Sequence, residues 1–292
     1  MKRKIILGLI LLSLCQVWVL AEEKAGSEPP LTFIELWNAV AYYDTNIEKK
    51  SFASVLGRYE GKIGFNILNF PLQVYGVYYG VGSQNPDFFD NAIFSGGGAR
   101  FRPFASFRAT TWFNEWLPDL KIFVESLSAG YQKNAASAEA LSKNDIRAVI
   151  DLWHEWNLDK PNEKYAWAEM WLNCSYRDTN FGWDPDGFKN YVLMFQPKFG
   201  RHLGPGLEAY LRADLTLTGK EGPDYYFLNV ADYGFGLRLE PWRSSSDLND
   251  LLRKLKIYIE VLGVSYLKEK PVDATKQVSA DVRFGIDCSY GR

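Results

Sequence analysis

Histidine is nearly absent from this sequence: His154 and His202 are the only two in 292 residues. A lipid hydrolase working at a membrane rim needs a histidine beside a serine nucleophile, and neither has a serine two residues away. That chemistry is a poor fit, and no catalytic residue is assigned. Cysteine is almost as scarce. Cys15 lies in the first apolar run after Leu14, where a lipidation motif would need a small residue. Cys174 and Cys288, both in Cys-Ser-Tyr contexts, have no Cys or His partner at metal spacing and are too few for a disulfide framework. Their alternation makes them small apolar wall residues, and neither a metal nor a cofactor is expected. No internal stretch reaches the roughly 18 consecutive apolar residues of a membrane helix. No sign of charge dominates, with 33 Lys and Arg against 35 Asp and Glu. Without a basic stripe, a nucleic-acid partner is not expected. The one glycine cluster, Gly96 to Arg100, opens a strand rather than a helix, so it reads as a barrel bend and not a phosphate loop.

Aromatic residues, in contrast, make up 16% of the chain, with 10 Trp, while the mean hydropathy is only −0.22. At the N-terminus Lys2, Arg3 and Lys4 precede an apolar run from Ile5 to Leu20, and Val19-Leu20-Ala21 resembles a cleavage site. Residues 1–21 therefore read as a signal peptide for Sec export. Its removal takes the formal charge from −2 to −5. Residues 22–30 are then a short periplasmic segment and 31–292 one domain.

That domain is written twice. Phe33–Asn46, FIELWNAVAYYDTN, returns as Trp167–Asn180, WAEMWLNCSYRDTN, at an offset of 134. LKIFVE from Leu120 returns as LKIYIE from Leu255, and DIRAVID from Asp145 as DVRFGID from Asp281, at offsets of 135 and 136. A nearly constant offset implies duplication of one long unit, about 31–160 and 164–292. The repeated text alternates apolar and polar residues, which is the period of a strand.

Twelve strands are predicted, six per unit: near 33–44, 54–66, 72–82, 92–104, 118–132 and 144–157, then 164–178, 189–200, 205–218, 227–241, 254–268 and 279–290. From Leu207 to Leu217 one face carries Leu and Ala, and the other carries Glu208, Tyr210, Arg212, Asp214 and Thr216. Sandwich strands usually have about 5–6 residues. Strands of about ten residues, even in number, with short connections and terminal aromatics, point to a closed antiparallel transmembrane β-barrel of a bacterial outer membrane, with outer-membrane lipid around it. With both termini in the periplasm, 105–117 and 242–253 become long periplasmic connections. Ser244 to Leu252 in the second reads as a capped helical turn. His202 falls in a periplasmic turn, and His154 has lipid-facing parity.

Turning the apolar face to lipid sends eight recurring charge pairs inward: Glu35/Glu169, Lys62/Lys198, Arg100/Arg238, Lys121/Lys256, Glu125/Glu260, Asp145/Asp281, Arg147/Arg283 and Asp151/Asp287. Four pairs are acidic and four basic, so this set is electroneutral, unlike a pore ringed by one sign of charge. Trp37, Trp171, Tyr210, Tyr258, Phe123 and Trp153 share the inward parity. Two readings stand. The rings and charges form a path for a bulky polar ligand such as a glycan, or they pair with one another and plug the barrel.

Arg100-Phe101-Arg102-Pro103-Phe104, the strand Leu120 to Glu125, the Trp-rich strand Trp167 to Trp171 with Ala168-Glu169, and the Gly200-Arg201 turn form a further pattern. From Gly98 to the C-terminus it resembles the C-terminal barrel region of the phage adsorption protein A family and related exopolysaccharide-secretion barrels. That resemblance implies a conduit, or a docking barrel, for an exported polysaccharide. Members often carry a long periplasmic helical-repeat region, for which this sequence has only 22–30, so a separate scaffold protein is the implied partner. Gly291 and Arg292 after Tyr290 depart from the usual terminal aromatic.

Overall fold

A computed structural model describes residues 31–45, 52–67, 70–83, 91–111, 114–131, 144–158, 166–179, 188–220, 228–245, 247–268 and 281–291. The expected signal peptide and the 22–30 segment lie outside them. The strands are β1 (Thr32–Thr45), β2 (Phe52–Asn66), β3 (Leu72–Ser83), β4 (Ala92–Phe101), β5 (Lys121–Tyr131), β6 (Asn144–Trp156), β7 (Ala166–Thr179), β8 (Phe188–Gly204), β9 (Leu207–Thr218), β10 (Val230–Leu239), β11 (Lys256–Tyr266) and β12 (Asp281–Tyr290). Each pairs antiparallel with its neighbours in sequence, and β1 pairs with β12 from Leu36↔Tyr290 to Thr45↔Asp281, which closes the barrel. Closure leaves no strand edge unpaired. Among the described residues no helix is long and apolar enough to cross a membrane, a statement that does not bear on strands.

Side-chain alternation sets the two faces. On β9, Glu208 is fully buried and Leu211 is 65% exposed. The exposed outer side chains are sorted by height. Ile63, Val124, Ile150, Leu211, Leu237 and Ile259 are exposed along the walls. Tyrosines Tyr42, Tyr176, Tyr191 and Tyr233 are exposed toward the end away from the chain termini, called here the loop end. Phenylalanines Phe65, Phe70, Phe101 and Phe199 are exposed toward the opposite, turn end. An aliphatic zone between two aromatic girdles suits a bilayer, and closed barrels are one of the two folds that can cross one.

Inside, large rings lie flat on the wall because glycine faces them in register. The opposed pairs are Phe33↔Gly64, Tyr75↔Gly98, Trp167↔Gly200, Tyr210↔Gly236 and Tyr258↔Gly285. A Cβ at Gly98 would fall 2.8 Å from the Tyr75 ring, and one at Gly236 2.5 Å from that of Tyr210. Gly96 to Gly98 therefore do not open a strand. They lie in the middle of β4, and Gly98 makes room for the Tyr75 ring, the device by which an aromatic compensates a strand glycine.

The turn end carries the long connections. A 3-10 turn at Leu117–Asp119 precedes β5, and a short helix α1 (Asp250–Arg253) precedes β11. The expected cap of α1 is there, provided by Asn249, whose Oδ1 accepts from the Leu252 amide at 3.0 Å. His202 is not in a turn. β8 runs on to Gly204 through an irregularity between His202 and Gly204, and the chain reverses at Pro205-Gly206. Gly206 has φ +71° and its carbonyl accepts from the Glu240 amide at 2.7 Å.

Candidate functional site in the barrel lumen

Two clusters of the same design stand on opposite halves of the wall. In the first, Arg100 on β4 reaches over β3 and β2 to grip Glu35 on β1 with both terminal nitrogens, at 2.8 and 2.7 Å. Its Nε donates to Gln73 Oε1 at 2.6 Å, and the guanidinium lies 5.0 Å from the Phe33 ring centre. In the second, Arg238 on β10 reaches Glu169 on β7 at 3.2 Å and Glu208 at 2.7 Å, with the Trp167 ring at 4.6 Å. Forked, charge-assisted bonds over an aromatic face are the strongest arrangement available to an arginine inside a protein. Glu208, the acid standing where Gln73 stands in the first cluster, is balanced further by Arg243 and by His202 Nδ1 at 2.9 Å.

A second layer lies nearer the loop end. Glu125 on β5 accepts from Tyr75 at 3.0 Å and from Tyr79 at 2.8 Å, and Lys62 lies between Glu60 at 3.0 Å and Glu125 at 3.6 Å. Glu260 on β11 accepts from Tyr210 at 2.8 Å and from Arg212 at 2.7 Å. Lys198 donates to Glu169 at 2.8 Å. Asp151 accepts from Trp171 Nε1 at 2.8 Å and from Asn173 at 3.0 Å, and lies opposite Lys121 in register. Trp37 lies opposite Glu60, Asp287 opposite Lys256, and Tyr258 opposite Gly285.

These contacts join near strands. Lys256 Nζ on β11 reaches across the lumen to 3.9 Å from Glu155 on β6, with four strands between them one way round and six the other. It lies toward the turn end. Beside the first cluster is a cavity of about 190 Å³. Glu35, Lys62, Arg100, Lys121, Glu125, Arg147, Asp151 and Trp171 of the sequence-derived set line it, together with Glu60, Tyr79, Phe123, Trp153 and Arg177. Lys198, Glu169, Arg238, Glu260, Lys256, Asp281 and Arg283 belong to the pairings of the other half, outside this cavity's lining.

Gln73, Tyr75, Tyr79, Glu155, Arg177, Glu208, Arg212, Asp214 and Asp232 were missed as site residues. Inward parity was the signal that could have found them. Of the charged residues among them, Arg177, Glu208, Arg212, Asp214 and Asp232 stand where the two halves of the sequence differ.

Among the described residues neither histidine has a serine partner. His154 Nδ1 is 2.6 Å from Asp119 Oδ2, its ring packs on Trp156, and its Nε2 is buried without a hydrogen-bond partner. His202 is held by Glu208, Arg243 and the Asn157 carbonyl. Among the described residues no group of three His, Cys, Asp or Glu is placed to hold a metal ion. Cys174 and Cys288 are free thiols on outward positions of β7 and β12.

No family model and no curated relative match this sequence. Among solved structures it is similar to the NanC porin, at 9% identity and TM-score 0.41 over 87% of this chain and 98% of that one. It is also similar to the KdgM porin, at 10% and 0.37 over 88% and 99%. An outer-membrane channel from Pseudomonas putida F1 matches at 9% and 0.42 over 92% and 100%. At these values the likenesses add nothing to the topology described above.

Proposed function

We propose that this chain spans an outer membrane and provides a narrow passage for polar solutes, with sugar units as the class of cargo. One observation carries the reading: inside a closed barrel with an apolar exterior, a cavity of about 190 Å³ is lined by charges of both signs and by the rings of Tyr79, Phe123, Trp153 and Trp171. Rings offer apolar contact to sugar faces, and ionised groups bind hydroxyls. Export of a whole polysaccharide is the finer form of this reading. It is motivated by the sequence resemblance and by the ring-lined cavity, and it requires the Lys256–Glu155 contact to part. The expected route is Sec export with cleavage after Ala21, and the expected partner is a separate periplasmic helical-repeat scaffold.

The rival reading, a sealed barrel that only docks a partner, is favoured by that same cross-lumen contact. Liposome swelling separates the two. Vesicles carrying the purified chain are expected to admit a monosaccharide faster than empty vesicles do. Substituting Glu155→Gln together with Lys256→Met should raise the rate severalfold. Swelling at the empty-vesicle rate for both forms would leave the sealed barrel standing.

A further inference from the structure

The duplicated units place an arginine at matching points, Arg147 and Arg283, each two residues after an aspartate. Their surroundings differ. Arg283 on β12 contacts Asp281 at 2.6 Å, Asp232 at 3.0 Å and Asp214 at 3.3 Å, and it stacks at 5.4 Å on Tyr43, directly opposite on β1. Arg147 keeps the matching Asp145 at 2.5 Å. Where the acids stand in the other half, it meets the rings of Tyr79 and Phe94, at 5.5 and 5.6 Å. Where Tyr43 stands, it meets Arg177, directly opposite on β7.

Two guanidiniums thus face each other across a strand pair, and Asp145 is in contact with Arg147. Like charges directly opposite destabilise a sheet, and a charge held away from bulk water needs a partner. Arg177 hydrogen-bonds through Nε to Ser175 Oγ at 3.2 Å, and no carboxylate of the described residues forms an ion pair with it. Both arginines line the cavity. The groups that would relieve the pair are oxyanions, which accept forked bonds from guanidinium.

We propose that Arg147 and Arg177 form a binding site for an oxyanion, a carboxylate or a phosphate, in the loop-end half of the lumen. As a group carried by cargo, that oxyanion rests on the conduit reading, and it makes the favoured solute an acidic one. The site itself is tested by binding alone. The full chain, folded in detergent at low salt, is titrated with inorganic phosphate by calorimetry. Saturable binding is expected, weakened at least tenfold by Arg177→Gln and by less in Arg177→Lys, which keeps the charge and loses the fork. Lys189→Gln, at an exposed cation paired with Asp178 on the outer wall, should bind as wild type. Circular dichroism checks that each variant is folded, and if Arg177→Gln is not, Arg177→Lys carries the comparison. No saturable phosphate binding by the wild type, or undiminished binding by the Arg177 variants, overturns the site. Phosphate binding without sugar entry would leave the site standing and sink the conduit, and sugar entry without binding would do the reverse.

Discussion

Arg100 shows how strongly single side chains are constrained in this lumen. Its three donor nitrogens are engaged by Glu35 and Gln73, and two rings flank it. Removing one partner of such a pair leaves the other charge uncompensated, at a cost of about 3–5 kcal/mol. Arg100→Met is therefore expected to lower the unfolding free energy of the barrel in vesicles by that amount, read from urea titration as a lower midpoint. The double variant with Glu35→Gln should lose less than the two single losses added together. Additive losses would mean the pair is not coupled. Gly98 is constrained by space instead. A methyl there meets the Tyr75 ring at 2.8 Å and Glu125 Cγ at 2.9 Å. Gly98→Ala should cost about 1–3 kcal/mol, the usual range for overpacking, and an unchanged midpoint would contradict the flat-ring packing. Neither constraint was legible beforehand. The charge of Arg100 and its inward parity could be read, but its partner three strands away could not, because alternation gives a face and not a reach. Arg177 was missed for another reason: it occupies a position where the two units differ.

At the scale of the strand, alternation was enough. A closed antiparallel barrel gives every strand one apolar and one polar face, so the twelve segments could be placed to within a few residues. The largest departure is β8, which extends to Gly204 and carries His202 inward to Glu208. Gly200-Arg201 is a turn in the pattern that carries the family resemblance. In the barrel, Gly200 makes room for the Trp167 ring, and the reversal waits for Pro205-Gly206. Gly206 is where the connection is least tolerant. Its φ of +71° disfavours any other residue, and a Cβ there would fall 2.3 Å from the Glu240 carbonyl oxygen. Gly206→Ala is expected to cost at least the roughly 1–2 kcal/mol of a left-handed residue, read as a lower unfolding midpoint. A midpoint equal to wild type would show that the turn adapts.

For the whole molecule, an aliphatic wall lies between girdles of tyrosine and phenylalanine on the exterior, while ion pairs and tyrosine hydroxyls link the charged groups of the interior. On the proposed conduit reading, passage is limited by side-chain contacts across the lumen, and Lys256–Glu155 is such a contact between opposite walls. Arg–Glu–aromatic clusters of like design stand on β1–β4 and on β7–β10, while the surroundings of Arg147 and Arg283 differ. Single-channel recording in planar bilayers tests the central claim most directly. Discrete conductance steps are expected from the wild type, and larger ones from Glu155→Gln with Lys256→Met. A folded, inserted barrel that gives no steps above the bare bilayer in either form would contradict the conduit.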